Sequence, residues 1–332
     1  MCILFMYVAN CAKKPSNSGN NAPPTYKLII ASNRDEKYNR ATKAASFWEN
    51  TDSHILAGQD LQEFGTWLGI SKHGKLAVLL NVMGKTTEQP ESLPPSNKTS
   101  RGSLIIGYLR SPPGLLGSTY CNSLCEDPES LDLRTAFNPF HLITIDIHGR
   151  NGNCERPETD TSTVRMTYLT NKRNSSIPTP QPECMTPQIN TCEYYAIGNS
   201  MMDRPFQKVL TGRTDFKNVV EKYSGAEASE TSNESLTNEI LEFLRSTKKC
   251  FPDESLTEHA KGTIVPPQML PGLSSRFISI PQVQYGTRTN TIIIVDTANN
   301  VTYHEWTMKE PIDGANPTWL HSKFQFSLSP PN

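Results

Sequence analysis

The cysteine at the second position carries two groups that acyl transfer by a thiol requires. If the initiator Met1 is removed, the chain begins with Cys2 and its free α-amine. An α-amine with a pKa of about 7.7 to 8.0 is partly neutral at working pH and can accept the proton of a thiol whose pKa is about 8.5. Cys2 could therefore act as a nucleophile without a partner histidine. The alternative is a core residue, because Cys2 opens an apolar run to Val8 and free cysteine is often buried.

Four further polar residues lie at the ends of apolar strands or within them. Acyl transfer turns the attacked carbonyl oxygen into an oxyanion, and one well-placed donor stabilises the transition state by about 2.7 to 4 kcal/mol. A carboxylate is also needed to orient the α-amine; Asp35 is the candidate, whereas Glu36 is expected to face solvent. Each residue also has an ordinary explanation, as a turn former or as part of a surface ion pair. The candidate donors are Arg34, Asn81, Asn199 and Arg288.

Strands are expected to bring these groups together. The apolar runs 2–8 and 26–32 predict a hairpin that returns the Asn-Arg-Asp-Glu tetrad at 33–36 to the side of Cys2. The predicted elements come in the order strands, helices, strands. This order favours an α+β layered domain with antiparallel sheets. Other strands are predicted at 76–81, 141–147, 164–169, 194–200, 287–295 and 301–306, helices at 103–109, 205–223 and 236–244, and loop insertions at 10–25, 84–100 and 171–191.

The composition argues against several classes of protein. Across 332 residues, 32 Lys and Arg balance 33 Asp and Glu, so the chain has no basic surface for nucleic acid. No run approaches the roughly 18 apolar residues of a membrane span. The eight cysteines are scattered, without a C-x-x-C or finger spacing, which predicts no metal site and a reducing compartment.

The first apolar run could alternatively be the core of a signal peptide. A basic region is missing before it, and the run is at the short end for such a core. Glycosylation sequons occur at Asn97, Asn174, Asn233 and Asn300, but a chain rich in Asn, Ser and Thr produces them by chance. Cleavage would remove Cys2, so the two interpretations exclude each other, and we favour a cytoplasmic protein.

Six segments of the chain resemble the NRDE family, whose animal members are the transport and Golgi organisation 2 proteins. The resemblance covers nearly the whole chain and implies one NRDE-type domain over 1–332. It also implies a four-layer αββα sandwich of antiparallel sheets, of the N-terminal nucleophile hydrolase type. The segments are residues 1–3, 31–36, 65–69, 81, 198–200 and 286–290.

The same resemblance implies a role in Golgi organisation and protein secretion, and in haem and lipid handling. It places the protein in the cytoplasm, associated with mitochondria and the Golgi. No cofactor is required, and the expected partner is a small molecule: haem, a lipid or an acyl compound. A single axial His, Cys or Tyr leaves no spacing signal for haem, and the candidates are His54, His73 and Cys2.

The implied fold also resembles that of choloylglycine hydrolases and penicillin V acylases. These enzymes use an N-terminal cysteine, an Arg and an Asp after the second strand, and later Asn and Arg donors. Two residues separate their Arg and Asp, whereas here the pair is adjacent, and adjacent strand residues face opposite ways. The first hypothesis is an intracellular trafficking and haem-handling protein built on this fold, and the second is an active thiol amidohydrolase or thioesterase for a small acyl substrate. The corresponding residues are Cys2, Arg34, Asp35, Asn81, Asn199 and Arg288.

Overall fold

A computed structural model describes residues 1–9, 25–84, 98–126, 132–147, 164–172, 183–185, 192–223, 229–261 and 263–329. Most of the three predicted loop insertions lies outside these residues. Within the third insertion, residues Glu183–Met185 form a short strand rather than a loop.

The described chain contains fourteen strands and seven α-helices. The strands are β1 (Ile3–Ala9), β2 (Tyr26–Lys37), β3 (Thr42–Phe47), β4 (Ile55–Asp60), β5 (Leu68–Ser71), β6 (Lys75–Asn81), β7 (Phe140–Ile147), β8 (Val164–Thr170), β9 (Glu183–Met185), β10 (Cys192–Ile197), β11 (Ser279–Ile280), β12 (Tyr285–Asp296), β13 (Asn300–Met308) and β14 (Trp319–Ser327). The helices are α1 (Gly102–Arg110), α2 (Gly117–Glu126), α3 (Leu133–Ala136), α4 (Gln207–Glu221), α5 (Glu230–Leu244), α6 (Glu254–Ala260) and α7 (Leu270–Leu273).

Two antiparallel sheets of seven strands each form the centre of the molecule. The first sheet has the order β10-β1-β2-β12-β13-β14, with β11 paired to β12. The second follows the chain in the order β3-β4-β5-β6-β7-β8-β9. Strands β3 to β6 of the second sheet follow one another closely in the chain, whereas β12 pairs with β2, which is distant from it in the sequence.

Three hydrophobic cores separate four layers. Leu4 and Ile30 of the first sheet pack between the sheets against Val78 and Ile143 of the second. The opposite face of the first sheet packs on α4 to α7, and the opposite face of the second packs on α1 to α3. The four-layer αββα sandwich predicted from the sequence is therefore confirmed. None of the helices in the described parts of the chain combines the length and apolar content needed to cross a membrane.

The alternation of β1 and β2 decides which side chains face which core. In β2, Leu28 and Ile30 face the other sheet, whereas Ile29 and Ala31 face the helices. The hairpin prediction is confirmed, since β1 and β2 pair with Ile3 opposite Asn33. The strand, however, runs on to Lys37, so the polar tetrad lies inside β2 rather than after it. Its hydrogen-bonded neighbours, β1 and β12, hold the tetrad in extended form.

Candidate functional site

Cys2 lies immediately before β1, beside the polar tetrad. Its half-buried thiol packs against the core between the two sheets. The backbone N–H of Asp35 donates to Sγ at 3.4 Å, and Sγ lies 3.8 Å from the Asp35 carbonyl oxygen. The register of the hairpin between β1 and β2 thus holds the first residues of the chain against β2.

Arg34 and Asp35 point to opposite sides of the first sheet. Arg34 shares the inter-sheet side with the thiol, where its guanidinium lies 4.3 Å from the ring centroid of Trp67 and 3.4 Å from Asp60 Oδ2. Asp35 turns its carboxylate towards the helix layer. The opposite orientation expected for adjacent strand residues is observed, yet the backbone of Asp35 still contacts the thiol.

The Asp35 carboxylate faces the α-amine of the chain. Oδ2 lies 3.5 Å from the nitrogen of Met1, which also donates a hydrogen bond to the hydroxyl of Tyr285. Oδ1 accepts from Thr287 Oγ1 at 2.5 Å, and that hydroxyl accepts from the N–H of Ile278 at 2.9 Å. The carboxylate is therefore held by β12 and is positioned to orient an N-terminal amine.

Burial governs the protonation of this group of residues. It raises the pKa of Asp35, against the opposing effects of the N-terminal amine, Lys208 and the Thr287 hydrogen bond. It also raises the pKa of the Cys2 thiol, while the amine and Arg34 act in the other direction. Lys208, fully buried on α4, donates to the Ser275 carbonyl at 3.1 Å, and burial lowers its pKa. Because the pKa of the thiol is raised, the pH of the solution alone does not readily deprotonate it. A nearby base must therefore take the thiol proton before the sulfur can act as a nucleophile.

The thiol lies between two cavities of different character. One, of about 270 Å³, is lined by charged groups that include Arg34, Asp60 and Arg101. The other, of about 550 Å³, is lined mainly by apolar side chains from 82–83, 264–273 and Val283. The residues that line both cavities are Cys2, Asp35, Glu36 and Asn81. Glu36, expected to face solvent, is thus half-buried at the boundary.

Asn81 and Asn199 connect the two sheets at this boundary. Asn81 ends β6, and Asn199 follows β10 in the turn predicted from the sequence. Asn199 Nδ2 donates to the Asn81 carbonyl at 2.5 Å, and the N–H of Met83 donates to the Asn199 carbonyl at 2.7 Å. The fully buried His141 holds the same turn, with Nε2 2.8 Å from the Ser200 carbonyl. Asn199 lines the apolar cavity.

Arg288 is not brought to the thiol. It is the residue at the register shift between β12 and β2, and such a bulge redirects the side chain it carries. Its guanidinium donates to the carbonyls of Lys37 and Arg40 and to Glu310 Oε1, the last at 2.6 Å. It lines neither cavity beside Cys2. Its contacts are those of a residue that supports the end of β2.

The two histidines considered for haem lie elsewhere. His54 and His73 have ring centroids 5.0 Å apart, at the end of the second sheet where β4 begins and β5 ends. Neither lines a cavity that contains Cys2. The sequence alone does not single out Tyr285, Thr287 or Arg101. The first two flank Gly286, and only the pairing of β12 with β2 reveals their position.

Residues 1–310 match the family described as Transport and Golgi organisation 2. The chain belongs to this family. It is 30% identical over 334 residues to Transport and Golgi organization protein 2 of Drosophila melanogaster, with 98% of this chain and 99% of the relative covered. It is also 30% identical over 331 residues to the Homo sapiens homolog, with 99% of each chain covered.

One solved structure aligns with most of this chain at low similarity. The N-acylethanolamine-hydrolyzing acid amidase ortholog of Caenorhabditis elegans aligns with 11% sequence identity and a TM-score of 0.41. The alignment covers 89% of this chain and 93% of that one.

Proposed function

We propose that this member of the Transport and Golgi organisation 2 family is an N-terminal-cysteine hydrolase of an acyl compound. The observation that supports the proposal best is the position of the Cys2 thiol, at the boundary of a charged and an apolar cavity. The backbone N–H of Asp35 donates to its sulfur, and the Asp35 carboxylate lies 3.5 Å from the α-amine of Met1. An acyl chain would occupy the apolar cavity, and a charged leaving group the smaller one.

Removal of Met1 would make the α-amine part of Cys2 itself. The neutral amine accepts the thiol proton, and the thiolate attacks the carbonyl carbon of the substrate. Asn81, with the second Nδ2 hydrogen of Asn199, would donate to the resulting oxyanion. The ammonium returns its proton to the leaving group as the C–N or C–S bond breaks. Water then attacks the acyl-thioester, with the amine as its base, and releases the acid and the free thiol.

Asn199 favours an amide over a thioester as the bond that is cleaved. Asn199 lines the apolar cavity, and its Oδ1 is buried and accepts no hydrogen bond within the described part of the chain. A buried acceptor without a donor is costly, and the N–H of an amide substrate would satisfy it. A thioester has no such donor. Hydrolysis of a thioester is therefore the alternative reaction, and its rate should be compared with the rate of amide hydrolysis.

Intact mass and covalent labelling test the proposal. We expect loss of Met1, a free amine on Cys2, and acylation of Cys2 by an activated acyl probe. An N-acyl amino acid and an acyl thioester of equal chain length should be hydrolysed at unequal rates, the amide being preferred. Cys2→Ala should abolish labelling and turnover, whereas the control Cys250→Ser, at a half-buried thiol that lines a different cavity, should retain both. Retained Met1 or an acetylated Cys2 would remove the proposed base and refute the mechanism.

A cellular role at the Golgi is proposed on different grounds. The family and the names of the Drosophila and human relatives refer to Golgi organisation. We expect the chain to associate with Golgi membranes and to support protein secretion, with a further pool at mitochondria. Imaging of the full-length chain with organelle markers tests this, and a distribution unrelated to either organelle would contradict it.

Haem carriage is the second candidate function. The apolar cavity offers about 550 Å³, and Cys2 on its rim is one axial ligand of a type that haem iron accepts. Haem titration should then give a visible absorbance change with the wild-type chain and not with Cys2→Ala. Equal spectra for the two proteins would count against this site.

A further inference from the structure

Two cations in the charged cavity beside Cys2 donate hydrogen bonds to backbone carbonyls instead of pairing with carboxylates. Arg101 Nη1 donates to the carbonyl of Pro139 at 3.1 Å, and Lys98 Nζ donates to the carbonyl of Phe137 at 3.5 Å. Both side chains are half-buried and line the same cavity as the thiol. Arginine has five N–H donors, so Arg101 can still donate to a ligand in the cavity.

The carboxylates that line this cavity have other partners or are exposed. Asp60 Oδ2 lies 2.6 Å from Arg40 Nε, and Glu36 Oε2 lies 3.9 Å from the same nitrogen. The Asp35 carboxylate faces the N-terminal amine on the other side of the sheet. The Glu63 side chain is exposed. Within the described residues, the positive charge of the two cations is therefore not neutralised by a direct ion pair.

Two glycines fix the position of Arg101. It immediately precedes α1, whose first residue, Gly102, packs against Gly65 and Thr66. A Cβ atom on Gly102 would lie 2.8 Å from the Thr66 nitrogen and 2.9 Å from the Gly65 Cα, so only glycine permits this close approach. Burial lowers the pKa of Arg101, and the nearby charge of Cys2 acts in the other direction. The guanidinium is thus held close to the thiol.

The volume of the charged cavity suits a small anionic head group. Its 270 Å³ or so is less than the roughly 300 to 1,000 Å³ of sites that enclose a whole drug-sized ligand. A guanidinium binds a carboxylate through two parallel N–H···O bonds, and a second cation adds to the attraction. An amino acid linked through its nitrogen to an acyl group would place its carboxylate here, with the acyl chain in the apolar cavity.

We propose that Arg101, together with Lys98, binds the carboxylate of the leaving group, and that the substrates are N-acyl amino acids. This inference rests on the proposed hydrolase function. Attack by the Cys2 thiolate breaks the C–N bond, and the amino acid leaves with the proton held by the α-ammonium. Water then releases the carboxylic acid from the thioester. The two cations determine specificity and take no part in breaking the bond.

N-decanoylglycine and N-decanoylglycinamide differ in charge but little in size, and a comparison of their hydrolysis tests the site. The wild-type chain should hydrolyse the acid with a kcat/KM about tenfold to a hundredfold higher, because the amide cannot accept charged hydrogen bonds as strongly. Arg101→Gln should raise the KM for the acid by this factor and leave the kinetics of the glycinamide unchanged, which also shows that the variant is folded. Arg101→Lys should recover part of the preference, because it retains the charge.

Arg110 supplies the matched control at the other end of α1. Its exposed guanidinium pairs with Asp52 at 2.6 Å and lines neither cavity beside Cys2. Arg110→Gln should therefore hydrolyse both compounds as the wild-type chain does. An equal loss of preference in Arg110→Gln and Arg101→Gln would contradict a carboxylate site at Arg101.

Binding to the Cys2→Ala chain separates the carboxylate site from the chemistry. Calorimetry with N-decanoylglycine should show saturable binding, which the additional change Arg101→Gln weakens about tenfold or more. Such binding without turnover by the wild-type chain would retain the site and refute the hydrolysis. Equal kcat/KM for the acid and the glycinamide would overturn the site and retain the hydrolase. Failure of N-decanoylglycine to bind the Cys2→Ala chain, or a preference unchanged by Arg101→Gln, would also overturn the site.

Discussion

The Cys2 thiol and the Asp35 carboxylate lie on opposite sides of one sheet and are joined through the backbone of Asp35. The N–H of Asp35 donates to the sulfur at 3.4 Å, while its Oδ2 lies 3.5 Å from the N-terminal nitrogen on the other side. A nucleophile and the group that orients its base are therefore held by the same residue. Each can be tested without removing the other.

Asp35→Asn should change the pH dependence of the stability of the folded chain and, separately, the reactivity of Cys2. Burial raises the pKa of Asp35 in the folded chain, so its stabilising contribution is complete below the unfolded pKa of about 3.9 and is lost as the pH rises through the folded value. The variant should abolish Cys2 acylation, while its melting temperature relative to wild type increases as the pH rises above about 3.9. Scanning calorimetry at several pH values measures the effect. A melting difference that does not vary with pH would contradict it.

Arg34→Gln should slow alkylation of Cys2. The guanidinium shares the inter-sheet side with the thiol and lowers its pKa, so its removal should raise that pKa and reduce the thiolate fraction by about threefold at fixed pH. Peptide mass spectrometry after timed iodoacetamide treatment gives the rate. Arg40→Gln is the control, because Arg40 lines the same cavity and pairs with the same Asp60. Equal slowing in both variants would point to loss of the cavity rather than of one charge.

Asn199→Ala and Asn81→Ala should differ. The first removes the link to the Asn81 carbonyl and should cost about 1 kcal/mol of unfolding free energy, together with about a hundredfold in acylation rate. The second keeps that backbone acceptor, so it should affect rate and leave stability nearly unchanged. Chemical denaturation and probe kinetics on both variants test the distinction. Similar stability losses would mean that the Asn81 side chain has a structural role.

His141→Gln should flatten the acid dependence of stability. Burial lowers the pKa of His141 to about 4, so the unfolded chain binds the extra proton first and stability falls as the pH drops from about 6.5 to 4. The wild-type chain should lose up to about 3 kcal/mol through this residue, and the variant none of it. Urea unfolding at several pH values measures the slope. An unchanged slope would show that His141 does not remain neutral when folded.

Arg288→Gln should reduce stability without a specific effect on chemistry. Its fully buried guanidinium holds the carbonyls of Lys37 and Arg40 and the Glu310 carboxylate, and breaking such a set costs about 3 kcal/mol or more. Glu310→Gln should cost less, since that side chain is 40% exposed. Acylation rates measured well below the melting temperature should match wild type. A large rate loss in a folded Arg288→Gln would restore the oxyanion role predicted from the sequence.

Local patterns in the sequence were sufficient for the elements that carry the site. The continuous apolar runs of β1 and β2 predicted a hairpin, and the abrupt end of β6 at Asn81 was visible as an apolar run that stops on an amide. The helix at Gly102–Arg110 followed from apolar spacing. These features depend on neighbours within a few residues, which is why a single sequence reveals them.

Other features depend on contacts between distant residues. The bulge that turns Arg288 away from Cys2 arises from the pairing of β12 with β2, and no local pattern in Gly-Thr-Arg-Thr-Asn predicts it. The contact of Tyr285 with the N-terminal nitrogen joins positions 284 residues apart. The sequence does not predict strand β14, because its residues are half-buried or exposed and form no apolar run.

The alternation within β2 has a consequence for how this motif can vary. Deletion or insertion of one residue between Ile30 and Arg34 would exchange the two sides of the sheet for every residue after it. The guanidinium would then face the amine and the carboxylate would face the aromatic ring of Trp67. The number of residues in this strand is therefore strictly constrained. Natural variants should accept substitutions here far more readily than insertions or deletions.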